Sequence, residues 1–280
     1  MKIAFIVLTF NRPDALLVVL RGLALQCRVH HEVLIADDGS SETSISAVKA
    51  GLPDFECQVR HVWHEDTGFT ASRARNLAAA LTTADYLVFI DGDCVPNPQF
   101  VSAHTRLAET GCFVNGSRVL LGPALTQQAI KGSVDLCSAS RYAWIRWRLR
   151  GEANKLIHLV NWPDAPFRAE KAFRWKKIRS CNFALWREDF MAVNGFDETF
   201  HGWGHEDADL VLRLHNAGLV RKNGFCATEV YHLWHPVNSR VSEADNRDKV
   251  IRRIATGEFR ACLGVAETFK LSQPLVTSLN

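Results

Sequence analysis

Near the start of the chain, apolar residues fall in short unbroken runs, each followed by a polar loop and then by apolar positions at helical spacing. "IAFIVL" at residues 3–8 is such a run, and Pro13 in "NRPDALLVVLRGLALQ" stands where a following helix would begin. The pattern repeats with "EVLIA" (32–36) before "DDGSS", with "VRHVW" (59–63) before a polar loop and "ASRARNLAAALTT", and with "YLVFI" (86–90) before "DGDC". Runs that are apolar at every position suit parallel strands covered on both faces. Four strands alternating with helices predict an α/β fold with an open, mostly parallel sheet and flanking helices. Ligands of such sheets sit beyond the carboxyl ends of the strands, which singles out the loops at 9–12, 37–40, 64–75 and 91–94. Three of these four carry acidic residues. Asp, Gly and Ser are also turn formers in their own right, so "DDGS" by itself reads equally well as a plain turn.

Beyond residue 100 the periodicity weakens and the composition changes. Five of the eight tryptophans lie between 144 and 186, and residues 141–179 are rich in Arg and Lys. After 205 the pattern predicts a helix ending near Gly218, with Leu210, Val211 and Leu214 on one face. "SEAD" at 242–245 has the form of a capping box opening a last helix toward residue 255. No internal repeat or low-complexity linker divides the chain, so a single compact unit is expected, in two halves (1–100 and 101–240) with a helical extension over 241–280.

With 280 residues, 47% apolar and 22% charged, the chain can bury a sizeable core. A formal charge of +3 is too mild, and too mixed in sign, for binding of nucleic acid by the whole protein. The eight cysteines are widely scattered with no CxxC pair, which fits reduced, mostly buried thiols in a cytoplasmic protein. No cleavage site follows "MKIAFIVLTFNRP" and no apolar stretch reaches about 18 residues, so neither a secretory signal nor a membrane span is expected.

"VFIDGDC" places Asp91 and Asp93 at a strand end, where alternate residues point the same way. Two carboxylates there repel each other unless a cation or ligand hydroxyls compensate, and hard oxygen ligands suit Mg²⁺ or Mn²⁺ carrying a diphosphate. Farther along, "GWGHEDADL" sets Glu206, Asp207 and Asp209 directly after Gly202, Trp203 and Gly204. A helix start enriched in acids for dipole reasons would account for Asp207 and Asp209, but not for the Gly-Trp-Gly.

"VLTFNRP", "IADDGS", "ASRARN" and "VFIDGDC" stand in the order and approximate spacing of the nucleotide-binding half of family 2 glycosyltransferases, whose fold is the Rossmann-like GT-A type. "GWGHEDADL" is similar to the acceptor-side motif of the β-1,4-galactosyltransferases and of bacterial chondroitin-polymerase-like enzymes. The departure is His205, where the galactosyltransferase pattern has a second glycine. The resemblance implies a nucleotide-sugar-binding half over 1–100 and an acceptor-binding, catalytic half over 101–240. It implies Thr9, Arg12, Asp37 and Asp38 at the base and ribose, Arg75 near the nucleotide or its diphosphate, and Asp91 and Asp93 on the donor. Asp207 would be the base that takes the proton of the acceptor hydroxyl. Glu206 would bind the sugar or the acceptor, and Trp203 would offer a flat face to a pyranose ring, while Gly202 and Gly204 let the loop close. "VYHLWHP" resembles the point at which several such enzymes supply a metal-binding histidine; His232 is the first choice as partner to Asp93, and His235 the second.

The expectation is an inverting glycosyltransferase dependent on Mn²⁺ or Mg²⁺. It would move a hexose (Gal, GalNAc, Glc or GlcNAc) from a UDP-sugar to a cell-envelope glycan or glycolipid, such as lipopolysaccharide core or capsule, at the inner face of the plasma membrane. The Arg/Trp-rich segment reads as a solvated face over buried tryptophans, as a contact with an anionic membrane, or as a site for a phosphorylated glycan. Two rival readings are a metal-dependent hydrolase using His201, His205, Asp207, His232 and His235, and a glycan-binding module without activity. A nucleotidylyltransferase is disfavoured by the lack of a Gly- and Arg-rich first loop.

Overall fold

The computed structural model describes residues 1–174, 178, 180–202, 204–236 and 243–280. Its first third follows the periodicity closely. Strands β1 (Ile3–Thr9), β2 (His31–Asp37), β3 (Gln58–Trp63) and β4 (Tyr86–Asp91) alternate with helices α1 (Pro13–Ala24), α2 (Glu42–Gly51) and α3 (Ala71–Ala80). β1 pairs in parallel with both β2 and β4, and β2 in parallel with β3. β1 is covered on both faces, which is why its sequence shows no polar alternation. Pro13 occupies the first turn of α1, where its missing N–H costs nothing, and Asp14 there and Arg21 in the last turn complement the helix dipole. Ala71, Ala74 and Ala78 are buried on α3, small enough to bring that helix close to the sheet.

After β4 come β5 (Cys94–Pro96), α4 (Phe100–Leu107), β6 (Cys112–Asn115), β7 (Arg118–Leu120), α5 (Pro123–Ile130), α6 (Arg141–Leu149), β8 (Ala169–Glu170), β9 (Asn182–Trp186), α7 (Arg187–Ala192), α8 (Glu206–Asn216), β10 (Val220–Asn223) and β11 (Val230–His232). Helices α9 (Glu243–Thr256) and α10 (Val265–Leu271) and strand β12 (Leu275–Ser278) complete the chain. The described strands form a nine-stranded sheet in the order β12-β3-β2-β1-β4-β9-β6-β10-β8 and a small sheet β5-β11-β7. One apolar layer, with α1, lies on one face of the large sheet; a second, with α3, α7 and α8, lies on the other.

Two features depart from the sequence reading. The parallel character holds for β3-β2-β1-β4, but β9 runs antiparallel between β4 and β6, so the sheet as a whole is mixed. The expected helical extension contains two helices and ends in a strand, with β12 closing the sheet edge antiparallel to β3. Leu275 and Val276 are exposed, so the pairing of β12 rests on backbone hydrogen bonds and leaves little apolar pattern to read. Ser242 of the expected capping box lies outside the described residues, and α9 is described from Glu243 onward. Helix α8 ends as anticipated, with Gly218 at φ 89° just past its last turn.

Candidate active site

The loops at the carboxyl ends of β1, β2 and β4 lie together at one end of these three neighbouring strands. Asp37 is buried and holds His61 Nε2 at 2.8 Å while accepting the Ser40 N–H at 2.8 Å. Asp38, also buried, accepts from the Thr70 N–H at 2.9 Å and the Thr70 hydroxyl at 2.5 Å, and stands 3.2 Å from His64 Nε2. Thr9 is buried and its carbonyl accepts the Asp38 N–H, whereas Arg12 lies on the surface and pairs with Asp14 at 2.9 Å. The second loop is thus a built feature, each of its two carboxylates engaged with a histidine.

The turn after β4 corrects one expectation. Asp91 and Asp93 do not share a partner. The strand ends at Asp91, so the two-residue alternation stops there and Gly92 turns the chain. A Cβ on Gly92 would stand 2.7 Å from the Leu8 carbonyl oxygen, a position only glycine fills without displacement. Asp91 accepts from Arg75 Nη2 at 2.8 Å. Asp93 faces the other way, 3.2 Å from His235 Nε2 and 3.8 Å from His232 Nε2.

His232 reaches that position because β11 lies antiparallel to β5, with His232 opposite Cys94. Asp93, Cys94 and His232 each bring a ligand atom within 4.8 Å of the others, a grouping able to hold a metal ion. Burial works against charge on Asp93, but the hydrogen bond with His235 and the field of His232 outweigh it and hold the carboxyl below its ordinary range. His235 is pushed up, mainly by that same contact, whereas burial pushes His232 down and so favours the neutral imidazole a metal requires. His235 Nδ1 lies 2.7 Å from the Pro236 carbonyl, a contact that needs a proton on Nδ1 and turns Nε2 toward Asp93. Burial drives the Cys94 thiol far toward its neutral form, and it donates to Asp93 Oδ1 at 3.4 Å. A carboxylate with imidazoles beside a neutral thiol fits Mn²⁺ or Mg²⁺ better than a thiolate-loving ion. His201, His205 and Asp207 do not join this group, so the ligand set of the hydrolase reading is not assembled among the described residues.

Across Arg75 lies the acidic pair that opens α8. Arg75 is buried, 3.9 Å from Glu206 Oε1, in contact with the Ser180 hydroxyl at 3.3 Å, and stacked 5.1 Å from the Phe196 ring. Glu206 is buried and accepts the Gly204 N–H at 3.2 Å. Burial first, and the adjacent Asp207 second, raise its carboxyl to about 7 despite the pull of Arg75. Asp207 accepts the Ser180 N–H at 3.3 Å and the Ala208 N–H at 2.7 Å; burial raises its carboxyl too, against the lowering effect of these bonds. Asp209 turns inward instead, 2.8 Å from the fully buried Arg213 and bound also to Arg253, so it belongs to the scaffold of α8. His205 sits at φ 69°, in the left-handed region that favours glycine. The position where the galactosyltransferase pattern has glycine is therefore one whose backbone calls for it. Trp203 lies outside the described residues.

Helix α3 ties the two acidic loops together. Arg75 reaches Asp91 at its carboxylate, while Asn76 exchanges bonds of 2.9 Å with both the carbonyl and the N–H of Phe196, and Arg73 meets Glu198 at 3.1 Å. The motif "ASRARN" thus clamps the segment that leads into Gly202–Asp207. Sequence reasoning missed Ser180, Cys94, His61 and His64. Ser180 carries no signal, since its N–H reaches Asp207 only through the fold; the two histidines were visible, but only the pairing of β2 with β3 brings them within reach of Asp37 and Asp38.

A family model described as "Glycosyl transferase family 2" matches residues 4–149, just over half of the chain, and one described as "N-terminal domain of galactosyltransferase" matches residues 168–236. Validoxylamine A glucosyltransferase of Streptomyces hygroscopicus subsp. jinggangensis (strain 5008) is 29% identical over 228 residues, which cover 78% of this chain and 52% of that protein. The hyaluronan synthase of Pasteurella multocida is 28% identical over 242 residues, 77% of this chain and 23% of that protein. The chain spans about half the length, or less, of these curated relatives. Among solved structures, S. aureus TarS 1–349 superposes with a TM-score of 0.58 at 14% identity, covering 97% of this chain and 69% of that one. The mannosyltransferase PcManGT from Pyrobaculum calidifontis, solved in complex with GDP-Man and Mn²⁺, gives a TM-score of 0.56 at 18% identity over 96% of this chain and 67% of that one. The matched first half makes the chain a member of glycosyltransferase family 2, and its superposition on these structures over nearly its whole length gives it the GT-A fold.

Proposed function

We propose that the chain is an inverting, metal-dependent glycosyltransferase that moves a hexose (Gal, GalNAc, Glc or GlcNAc) from a UDP-sugar to a cell-envelope glycan such as lipopolysaccharide core or capsule. The observation that carries this reading is the arrangement around Arg75: Asp91 on one side of its guanidinium, the acidic pair Glu206 and Asp207 on the other, and Asp93 with its histidines one turn away. Residues 1–100 bind the donor and 101–240 supply the acceptor side. Thr9, Arg12, Asp37 and Asp38 line the base and ribose, and the carboxylates of the second loop are fixed in advance by His61 and His64. TarS has been solved with UDP and with UDP-GlcNAc, which supports a UDP-sugar as the donor.

Asp93 and His232, with His235 beside them, would hold Mn²⁺ or Mg²⁺, which when bound neutralises charge on the departing nucleoside diphosphate. Asp207 takes the proton of the acceptor hydroxyl as that oxygen bonds to the anomeric carbon and the bond to the diphosphate breaks. A raised carboxyl makes Asp207 a stronger base than a surface aspartate, provided the proton of the pair resides on Glu206. Glu206 then binds the sugar or acceptor hydroxyls. Arg75 lies too deep to meet a ligand freely and is best read as the residue that positions Asp91 against the acid pair. Work at the inner face of the plasma membrane, with peripheral membrane contact, completes the reading; no helix among the described residues is long and apolar enough to cross a membrane.

Calorimetric titration with UDP-, GDP- and TDP-sugars, each with and without Mn²⁺, tests the proposal. Metal-dependent binding of one UDP-sugar is expected. Absence of binding to every nucleotide would remove its basis.

A further inference from the structure

Helix α6 has two apolar faces. Trp144 is buried, its ring 4.5 Å from Tyr231 and 4.1 Å from His158, with Trp147 5.0 Å away; this face seats the helix against β11. On the other side Tyr142, Ile145 and Leu149 follow the spacing i, i+3, i+7, which sets them in one stripe, and they are 69%, 43% and 82% exposed. Arg141, Arg146, Arg148 and Arg150 are exposed around the stripe, and no acid occurs over 141–151. The Arg146 guanidinium lies 5.8 Å from the Tyr142 ring. These four arginines carry +4 in a chain whose formal charge is +3, so the rest of the chain sums to −1 and the positive surface is local.

An exposed apolar stripe on a helix whose only charged residues are cations is complementary to a surface that offers hydrocarbon and phosphate together. We propose that the outward face of α6 is the membrane-docking surface of this protein. Tyr142, Ile145 and Leu149 enter the headgroup region of an anionic bilayer, and the four arginines meet its phosphates. The tryptophans suggested by composition as the lipid contacts are not the agents on this helix, since Trp144 and Trp147 pack inward. Because α6 rests on β11, the strand that carries His232, the docking helix is packed directly onto the scaffold of the metal side of the site. The inference rests on the transferase reading for its purpose, but its readout, partition to vesicles, needs neither donor nor acceptor.

The experiment is co-sedimentation of the full chain with vesicles of mixed phosphatidylglycerol and phosphatidylcholine, with phosphatidylcholine alone as the control. Partition to the anionic vesicles, weakening as salt rises, is expected. The variant Arg146→Gln/Arg148→Gln/Arg150→Gln should lose roughly tenfold or more of that partition, and Tyr142→Ser/Ile145→Ser/Leu149→Ser should lose it even at low salt. Both sets lie on the surface, so unchanged thermal melting and unchanged UDP-sugar titration separate loss of docking from loss of fold or of donor binding. A wild-type chain that ignores anionic vesicles, variants that bind as wild type does, or equal binding to phosphatidylcholine alone would each overturn the proposal. A concentration-dependent dimer abolished by Leu149→Ser, without vesicle binding, would overturn it in favour of a second copy as the occupant. A chain that binds no nucleotide yet partitions as expected would overturn the transferase reading and leave this one standing.

Discussion

Asp91 and Asp93 are separated by one glycine, Glu206 and Asp207 by nothing, and the structure treats the two pairs in opposite ways. The first pair is split, with one carboxylate given to Arg75 and the other to two histidines, so each has its own compensating group. The second is kept together against a guanidinium already paired with Asp91. The result is a carboxyl held below its ordinary range at Asp93 and two held above theirs at Glu206 and Asp207. A metal-side ligand benefits from permanent charge; a base benefits from a raised proton affinity. Burial raises all three carboxyls; at Asp93 the two histidines outweigh it, whereas at Glu206 and Asp207 it outweighs the pull of the shared Arg75.

Removing the base should have the largest effect. Asp207→Asn is expected to lower turnover about 10³-fold while calorimetric donor affinity stays close to wild type; a parallel loss of donor binding would reassign Asp207 to the donor site. Next is Arg75→Gln, which leaves Asp91 and the acid pair without their shared cation. Denaturant unfolding should show a loss of about 3–4 kcal/mol, and a change under 1 kcal/mol would mean the guanidinium is not the link between the loops. Asp93→Ala should weaken Mn²⁺-dependent UDP-sugar binding by roughly 10- to 100-fold with little change in metal-free affinity. If binding with and without Mn²⁺ falls alike, Asp93 does not serve the metal.

Glu206 gives a smaller, pH-dependent effect. Its carboxyl lies at about 7 in the folded chain against an ordinary 4.5, so the folded state holds an extra proton between those values and stability drops as pH rises through that window. Glu206→Gln removes this term. The variant should gain on wild type by about 1–2 kcal/mol as pH goes from 5 to 8, read as a widening difference in melting temperature. A constant difference across that range would show that Glu206 is not raised. The smallest change is expected from His205→Gly, which relieves a left-handed residue at the start of α8 for a gain of about 0.5–1 kcal/mol. A loss of that size would show that the His205 side chain does more for the loop than its backbone costs.

How much of this was legible in advance depends on sequence distance. β1 to β4 and α1 to α3 could be read because each is a local pattern of apolar runs and helical spacing, and their parallel pairing follows from the right-handed crossover. Glu206, Asp207 and Asp93 could be singled out because neighbouring carboxylates demand an explanation wherever they fall. The divergence of Asp91 from Asp93 could not, because it depends on where the strand stops and on a guanidinium 16 residues upstream. Nor could Ser180, whose N–H reaches Asp207 across 27 residues, or β12, an exposed strand that pairs with β3 through its backbone.

By itself, the sequence determined the α/β core, the loops that form the site and the residue types able to do its chemistry, because these depend on short-range periodicity and on the intrinsic properties of side chains. The tertiary structure decided which carboxylate meets which cation, that Arg75 is enclosed, that the α6 tryptophans face inward while its arginines stay out, and hence which carboxyls are held above their ordinary range and which below. Burial and charge proximity set those outcomes, and both are properties of the packed chain that no stretch of it carries alone.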